Sequence, residues 1–323
     1  METIQTESKK SAFAAVLGRP SVGKSTLVNR FCGEKVAIVS PVPQTTRNTI
    51  RGIVNREAGQ IVFVDTPGRH KSEKKFNRKL LSLSDRSMED ADLILYVLDA
   101  TRPPAGEEEA IAEKLAPLAD RLTVAVNKID APGADLAAPG AFLREKIPGL
   151  KEDRIFQVSA LKNQGLTELL DCLFRLAPQG EPFYPEDFYT DQDVSFRIAE
   201  IIREKAIARL REELPHSIYV DVADMEFRDA GDTPALGDTV PVESRDTASP
   251  RRRLWVRAFI AVERESQKGM VVGKGGQMIK TIRQAAQKDL DRIFDWKIDL
   301  DLRVKTAKDW RHNDALLKRL MDR

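Results

Sequence analysis

The sequence is poor in cysteine and has no long apolar segment. Its two cysteines, Cys32 and Cys172, are far apart and lie among apolar neighbours, so we expect buried, reduced thiols rather than a disulfide or a metal site. The longest apolar runs, such as residues 93–98, are far shorter than the roughly 20 residues that span a bilayer. These absences argue against a transmembrane or disulfide-stabilised protein.

The N-terminus also lacks the apolar stretch of a secretory signal. Its first residues, METIQTESKKSAF, are polar, so we expect no export and a cytoplasmic protein. Residues 1–10 are predicted to be flexible.

The net charge of +2 is small, but basic residues concentrate in one part of the chain. Between Arg251 and Lys288 there are ten lysines and arginines, opposed only by Glu263 and Glu265. Such a stretch attracts a polyanion, either nucleic acid or anionic lipid. Charge alone leaves both partners open, and it also leaves open a merely solvated basic face.

Five apolar, β-branched runs in the first half of the chain predict the strands of a sheet. They are short and nearly continuous in apolarity, as in parallel strands buried on both faces. A length of 323 residues suits two domains. The first, residues 11–178, is predicted as an α/β, doubly wound, mostly parallel sheet, in which ligands bind at the carboxyl ends of the strands. The predicted strands cover residues 13–17, 61–64, 93–98, 122–126 and 155–158.

Residues 18–25, GRPSVGKS, follow the first predicted strand and precede a helical stretch. This is the P-loop pattern GxxxxGK followed by Ser or Thr. The glycines let backbone amides turn toward phosphates, Lys24 places an ammonium on the terminal phosphates, and the Ser25 hydroxyl is a magnesium ligand. The predicted phosphate-binding residues are Gly18, Arg19, Pro20, Ser21, Val22, Gly23, Lys24, Ser25 and Thr26.

The next predicted strand ends in the sequence DTPG. Asp65 is predicted to hold magnesium and the Gly68 amide to sense the terminal phosphate, with Thr66 and Pro67 between them. Thr45 and Thr46 lie in an earlier loop, where a switch threonine reaches the metal, and we favour Thr46 for this role. The predicted catalytic residues are Lys24, Thr46 and Gly68, and the predicted magnesium ligands are Ser25, Thr46 and Asp65.

The sequence NKID, at the end of the fourth predicted strand, indicates the base. The Asp130 carboxylate accepts hydrogen bonds from the N1 and amino groups of guanine, whereas adenine offers no such donor pair. The residues after the fifth strand can offer backbone N–H groups to the guanine oxygen. The predicted base-binding residues are Asn127, Lys128, Asp130, Ser159, Ala160 and Leu161.

A stretch rich in Pro, Asp and Glu predicts a linker at residues 179–193, before a second domain at 194–310 and a tail at 311–323. The second domain begins with an amphipathic helix predicted over residues 196–214, ended by Pro215. Strands are predicted over residues 217–227, 254–262 and 298–305. Residues 228–253 have few large apolar side chains and are predicted to be a long mobile insertion.

The sequence GKGG precedes a helix predicted over residues 277–294 and lies within the basic stretch. A GxxG turn between two helices is the loop that clamps a nucleic-acid backbone in KH domains. The pattern therefore predicts a smaller α+β, KH-type, RNA-binding domain. The predicted RNA-binding residues are Gly273, Lys274, Gly275, Gly276, Lys280 and Arg283.

With these motifs in place, the chain resembles the Era family of bacterial ribosome-assembly GTPases from residue 13 to about residue 310. The similar segments include GRPSVGKSTLVNRF, PQTTRNTIRG, DTPG, NKID, FYPEDFYTD and GMVVGKGGQMIKTI. The resemblance implies GTP or GDP and Mg²⁺ as cofactors, and binding of small-subunit ribosomal RNA near its 3′ end during 30S subunit maturation. It also implies a monomer that contacts the cytoplasmic membrane peripherally.

Three features depart from that family. Ser21 stands where the family commonly has an Asn that supports a potassium ion in related GTPases, so the resemblance alone does not imply potassium stimulation and leaves it open. Arg69 replaces the hydrophobic residue that usually follows DTPG, and no glutamine there orients water, which predicts slow intrinsic hydrolysis. Arg69 is either a charge stabiliser or a solvated side chain. The third departure is the insertion at residues 228–253.

Two other functions remain open from the sequence. One is an RNA-binding scaffold that holds nucleotide without meaningful hydrolysis, because the motifs describe binding better than rate. The other is a membrane-bound signalling GTPase whose basic second domain binds anionic lipid.

Overall fold

The computed structural model describes residues 9–40, 42, 45, 47–66, 87–228 and 253–321. The chain divides into two compact units. The first unit comprises Met1–Gln192 with Arg311–Arg323, and the second comprises Asp193–Trp310.

The first unit is built on a six-stranded sheet. Its strands are β1 (Lys10–Leu17), β2 (Ile50–Arg56), β3 (Gly59–Asp65), β4 (Leu93–Asp99), β5 (Leu122–Asn127) and β6 (Ile155–Gln157). They lie in the order β2-β3-β1-β4-β5-β6, and only the β2–β3 pair is antiparallel. The five parallel strands therefore end at one edge of the sheet.

Every residue of β3, β4 and β5 is buried. This burial explains their nearly continuous apolar sequences, because both faces of such strands are covered. Helices follow the strands in alternation, as in a doubly wound fold. They are α1 (Lys24–Cys32), α2 (Gly106–Leu115), α3 (Ala137–Lys146) and α4 (Leu166–Leu176).

Strand β2 was missing from the five strands inferred from the sequence. It is an edge strand whose residues Arg51, Asn55 and Arg56 are polar and less buried than the rest. Such a strand has no continuous apolar run, so the criterion that identified the parallel strands does not detect it. The predicted fold class is nevertheless confirmed.

The second unit combines a three-stranded sheet with helices. Its elements are α5 (Val194–Ile207), α6 (Leu214–Ser217), β7 (Tyr219–Arg228), β8 (Arg253–Val262), α7 (Glu265–Val272), α8 (Gln277–Ile293) and β9 (Lys297–Thr306). Strand β8 is central, antiparallel to β7 and parallel to β9. Its even-numbered residues Leu254 to Ile260 are buried, and α8 buries Ile282, Ala286 and Leu290.

The single helix predicted over residues 196–214 is wrong. Helix α5 ends at Ile207, and the chain turns through Glu212, whose φ is +54°. Pro215 then lies in the first turn of the short helix α6. A proline is tolerated there because its missing N–H would be unpaired in any case, so Pro215 begins a helix rather than ending one.

A last helix, α9 (Asp314–Met321), follows the second unit in sequence. None of the described helices is long and apolar enough to cross a membrane.

Candidate functional site

The turn between β1 and α1 can be made only with glycine at two positions. Gly18 has a φ of +148°, and a Cβ there would lie 2.5 Å from the carbonyl oxygen of Val97. Gly23 has a φ of +103°, and a Cβ there would collide with the side-chain amide of Asn127. The chain thus turns tightly into the N-terminus of α1, a position that favours bound anions.

The buried Lys24 side chain hydrogen-bonds to the backbone of this loop. Its Nζ donates hydrogen bonds of 3.0 Å to the carbonyl oxygens of Gly18 and Arg19. Burial lowers the pKa of the Lys24 ammonium to about 8, while the Asp65 charge opposes the shift. An incoming phosphate would add negative charge beside this buried ammonium.

The magnesium ligands predicted at Ser25 and Asp65 lie together. The Ser25 hydroxyl donates a 2.6 Å hydrogen bond to Oδ2 of Asp65. Among the described residues, the buried Oδ1 of Asp65 has no hydrogen-bond partner. Burial raises the pKa of this carboxyl to about 6, against the opposing effects of Lys24 and Ser25. A hydroxyl and an orphaned carboxylate oxygen fit a hard cation such as Mg²⁺.

Arg19, by contrast, points to helix α2. Its Nε lies 2.7 Å from Oε1 of Glu108, and the Glu108 side chain is only 2% exposed. Burial raises the pKa of the Glu108 carboxyl, while the Arg19 charge opposes that shift. The Arg19 side chain therefore anchors the loop to α2, and the predicted nucleotide contact at this position would have to come from its backbone.

Asn127 joins the phosphate loop to the predicted base-binding residues. Its Nδ2 donates a 2.8 Å hydrogen bond to the carbonyl oxygen of Val22, and its Oδ1 accepts one of 3.0 Å from the Ala160 N–H. Asn127 is buried. Its side chain thus fixes the spacing between the two halves of the site.

Asp130 is held by the segment that follows β6. The Ser159 hydroxyl donates a 2.6 Å hydrogen bond to Oδ1 of Asp130. This bond orients the carboxylate, and its other oxygen can accept from a guanine edge. The arrangement fits the predicted discrimination against adenine.

Lys128 contacts the phosphate loop directly and also pairs with Asp99, a residue that the sequence analysis missed. Its Nζ donates to the carbonyl oxygen of Ser21 at 2.7 Å and to Oδ2 of Asp99 at 2.6 Å. Burial alone would raise the pKa of Asp99, but hydrogen bonds from Lys128 and Thr101 outweigh it and lower the pKa. The signal for Asp99 was its place at the carboxyl end of β4, the same sheet edge as the other motifs.

Arg30, near the end of α1, is a second residue that was missed. Its Nε and Nη2 donate 3.0 Å hydrogen bonds to the carbonyl oxygens of Ala160 and Leu161. The Leu161 side chain is 66% exposed. Arg30 thus shapes the base-binding segment through its backbone, a role that no local pattern reveals.

The phosphate loop and Lys128 line a cavity of about 330 Å³. Arg102, in the loop after β4, contributes to its wall, although no sequence motif includes it. The Arg102 side chain is 59% exposed, and its Nε lies 4.0 Å from Oδ2 of Asp99. The described lining consists of Pro20, Ser21, Gly23, Lys24, Ser25, Thr26, Ile38, Val39, Ser40, Val42, Thr45, Arg102 and Lys128.

Several predicted site residues either face away from the cavity or lie outside the described part of the chain. The Thr66 hydroxyl donates to the carbonyl oxygen of Val16 at 2.9 Å, so its side chain serves the sheet. Thr46, Pro67 and Gly68 lie outside the described residues, as do Arg69, residues 1–8 and nearly all of the insertion at 228–253. Their predicted roles stay predictions.

The GxxG turn lies between α7 and α8, as the pattern predicts. Gly273, Gly275 and Gly276 have φ values of +74°, +59° and +76°, a region that side chains other than glycine rarely adopt. Lys274 is exposed at the tip of the turn. The glycines thus bring backbone N–H groups and one ammonium to the surface together.

Two further predicted RNA-binding residues, Lys280 and Arg283, are exposed on α8. Arg283 also lines a cleft of about 470 Å³ beside β9. The cleft combines the Trp255 ring and the Arg283 guanidinium with the carboxylates of Asp299 and Asp301, so its net charge does not favour a phosphate backbone. Its described lining consists of Trp255, Arg283, Gln287, Asp299, Leu300, Asp301 and Leu302.

Comparison with protein families matches both halves of the chain. Residues 13–128 match a model described as a 50S ribosome-binding GTPase, and residues 242–311 match a KH domain. GTPase Era of Treponema denticola is 46% identical over 310 residues, which are 96% of this chain and 99% of that protein. GTPase Era of Borreliella afzelii is 42% identical over 97% of this chain and its own full length.

Two solved structures are similar over nearly the whole length. Era in complex with MgGDPNP and nucleotides 1506–1542 of 16S ribosomal RNA has a TM-score of 0.84 and 35% identity, covering 97% of this chain and 98% of that one. A variant of Aquifex aeolicus Era bound to GDP and AlF4⁻ has a TM-score of 0.84 and 34% identity, with the same coverage.

Proposed function

Because this chain belongs to the Era family of GTPases, we propose that it is a GTP-dependent switch that binds small-subunit ribosomal RNA near its 3′ end. In this role it assists assembly and maturation of the 30S subunit, as a monomer in the cytoplasm. The chain is a GTPase, with GTP or GDP and Mg²⁺ as its cofactors. The proposal therefore concerns what its GTP site controls.

The Asp130–Ser159 hydrogen bond is the observation that supports guanine as the base. Asn127 connects the segment after β6, which holds Asp130, to the phosphate loop. The residues predicted to bind the base and those predicted to bind the phosphates therefore belong to one hydrogen-bonded network. Asn127 and Ser159 are buried, whereas Asp130 is exposed, so the second oxygen of its carboxylate is accessible to an incoming base.

Hydrolysis requires in-line attack of water on the terminal phosphate. Lys24 and the loop amides at the N-terminus of α1 stabilise the charge on the transferred phosphoryl group. Bound Mg²⁺ supplies further neutralisation, with Ser25 and Asp65 to hold it. Since no glutamine follows DTPG, the chain has no such side chain there to orient water, and we expect slow intrinsic turnover.

RNA binding is supported by the GxxG turn and by the KH match over residues 242–311. The turn presents Lys274 and Gly275 at the surface, and the following helix exposes Lys280 and Arg283. KH domains use such a loop to clamp a nucleic-acid backbone. The related Era structure with nucleotides 1506–1542 of 16S ribosomal RNA suggests which RNA to test.

The test is binding of the full chain to that RNA segment as salt is varied. Lys274→Ala should weaken binding to every sequence tested and reduce the salt slope by about one. Lys308→Ala, an exposed lysine of the same unit, should leave binding nearly unchanged. Absence of binding at low salt would rule out the RNA assignment.

Two added arms separate the competing functions. Vesicles with anionic headgroups test whether the basic stretch binds lipid, which includes the proposed peripheral contact with the cell membrane. Multiple-turnover hydrolysis with and without 30S subunits tests the scaffold alternative. A chain that binds RNA but never turns over GTP, even with subunits, would be a scaffold rather than a switch.

A further inference from the structure

Gln60 is a fully buried side chain in β3 whose amide is completely used by other groups. Its Nε2 donates to Oδ1 of Asn55 at 2.7 Å and to the carbonyl oxygen of Tyr184 at 2.8 Å. Its Oε1 accepts from the N–H groups of Phe183 and Tyr184 at 2.8 and 2.9 Å. Both donors and both acceptor positions of the amide are therefore occupied.

Phe183 and Tyr184 belong to the stretch that composition predicts as a linker. We call residues 178–192 the strap, because this stretch is bound to the first unit along its length. It begins where the Ser11 N–H donates to the carbonyl oxygen of Pro178 at 3.0 Å. The rings of Phe183 and Phe13 then pack with their centroids 4.5 Å apart.

The strap next covers the outer edge of β2. The Ile53 N–H donates to the carbonyl oxygen of Tyr189 at 2.9 Å. Asn55 Nδ2 donates to the carbonyl oxygens of Glu186 and Phe188 at 2.9 and 3.0 Å. An edge strand exposes unpaired backbone groups unless something pairs with them, and here the strap is that partner.

The last residues of the strap contact one residue before Thr46 in the sequence and one residue after it. Arg51, after this loop, has its Nη1 2.7 Å from Oδ2 of Asp191. Val36, before this loop, accepts a 3.1 Å hydrogen bond at its carbonyl oxygen from Nε2 of Gln192. Two neighbouring strap residues therefore contact positions that bracket the predicted switch threonine.

The next residue after Gln192 belongs to the second unit. Asp193 caps α5, since its side chain accepts a 2.8 Å hydrogen bond from the Phe196 N–H. No free residue separates the strap from that helix. The chain thus passes from contacts on both sides of the Thr46 loop directly into the first helix of the KH-containing unit.

We infer that Gln60 is a positioning residue that fastens the strap to the β2–β3 hairpin, through which the nucleotide site affects RNA binding. The hairpin suits this role because β2 begins four positions after Thr46 and β3 ends at Asp65, a predicted magnesium ligand. The inference rests on the proposed function, because it presumes that nucleotide affects RNA affinity.

Its test compares RNA affinity with a GTP analogue and with GDP, as a ratio, in the full chain. Gln60→Glu replaces two donors with an oxygen that faces the acceptors on Asn55 and Tyr184, so the strap should detach. We expect the ratio to fall to within about twofold of one. Arg56→Ala is the matched control, because Arg56 lies on the same hairpin but pairs with Asp171 of α4 rather than with the strap.

A second variant covers the case in which Gln60→Glu does not fold. Thr190→Val removes the 2.9 Å hydrogen bond from the Thr190 hydroxyl to the carbonyl oxygen of Arg51, at an exposed position. It should reduce the ratio partially. Amide exchange at Ile53 and Tyr184 reports whether the strap has detached in either variant.

The outcomes separate the two ideas. Wild-type protein that binds no RNA, or binds it equally in both nucleotide states, contradicts the proposed switch. Wild-type protein with a clear ratio that persists in a folded variant with a detached strap contradicts the role of Gln60. A ratio lost in the strap variants but kept in Arg56→Ala supports it.

Discussion

The hydroxyl of Ser25 lies 2.6 Å from Oδ2 of Asp65, 40 positions away in the chain. The contact joins the first turn of α1 to the end of the neighbouring strand β3. It also leaves Oδ1 of Asp65 buried and unpaired among the described residues. A divalent cation between these oxygens would satisfy the orphaned atom.

Asp65→Asn and Ser25→Ala should therefore abolish the magnesium dependence of nucleotide binding. A bound metal contributes several kcal/mol of transition-state stabilisation, so hydrolysis should fall at least roughly hundredfold. Titration of GDP with and without Mg²⁺, and single-turnover hydrolysis, measure the two effects. Ser25→Thr retains the hydroxyl and should retain most of the activity. Unaltered magnesium dependence in Asp65→Asn would show that the metal is held elsewhere.

Asp130→Asn should change the base that the site prefers. An asparagine amide presents N–H groups to the guanine donors, while xanthine offers a carbonyl at the same position. We expect GDP affinity to fall roughly hundredfold and XDP affinity to rise, since a site built to hydrogen-bond one base rejects a base that leaves its polar groups unpaired. Parallel titrations with GDP, XDP and ADP measure the change. Equal loss for all three nucleotides would mean that Asp130 acts only through the fold.

Arg102→Ala should weaken the binding of both GDP and GTP about tenfold, or ~1.4 kcal/mol, as expected of a charge-assisted contact to a nucleotide. Arg102 lines the cavity beside Lys24 and Lys128, so its guanidinium adds to the positive charge there. Equilibrium titration at two ionic strengths measures the loss, which should shrink at high salt. Arg144→Ala, an exposed arginine on α3, serves as the control. Identical affinities in the two variants would exclude a role for Arg102.

The strand ends of the first unit were predictable because each buried strand is an apolar run and each motif follows one directly. The position of Asp99 at the end of β4 indicated the site edge, but its contact with Lys128 was not predictable, because the two residues are distant in sequence. The contact of Arg30 with Ala160 was not predictable for the same reason. Local patterns identify a motif, but they do not identify the side chains that hold the motif in place.

The strap illustrates the same limit. Its many Pro, Asp and Glu residues show neither helical nor strand periodicity, so composition indicated a linker. Its binding to the first unit depends on Gln60, whose side-chain amide bonds to the strap backbone at Phe183 and Tyr184. These bonds take the place of the backbone ladder that would join two strands. A single buried glutamine in an apolar strand was the available signal, since buried polar side chains need partners.

Cys32 should react slowly with alkylating reagents at pH 8. Burial, with a smaller contribution from Glu34, raises the pKa of this thiol from 9.0 to about 12. Three pKa units lower the thiolate fraction roughly thousandfold. Because the folded pKa is the higher one, this group stabilises the fold below pH 9, and that stabilisation is lost as pH rises toward 12. Cys172 is buried as expected, whereas Cys32 is only half-buried. Iodoacetamide labelling of Cys172→Ser, native and unfolded, tests the rate, and equal rates would contradict the raised pKa of Cys32.

Two glycines of the GxxG turn should differ sharply when replaced by alanine. Gly273 has φ +74° and ψ 170°, a region essentially restricted to glycine, and a Cβ there would lie 2.7 Å from Cβ of Met278. Gly273→Ala should therefore lower the free energy of unfolding by roughly 2–4 kcal/mol. Gly275 has φ +59°, but a Cβ there meets nothing within 4 Å, so Gly275→Ala should cost about 1 kcal/mol.

Denaturant unfolding of both variants measures this difference. If Gly275→Ala lowers RNA affinity without a large loss of stability, the lower affinity reflects a lost contact between the backbone of the turn and RNA. A lower RNA affinity of Gly273→Ala has no such single interpretation. The contact between the new Cβ and Met278 would also reduce the fraction of folded protein. Equal stability of the two variants would contradict the close approach of Gly273 to α8, and with it the geometry that holds Lys274 at the tip of the turn.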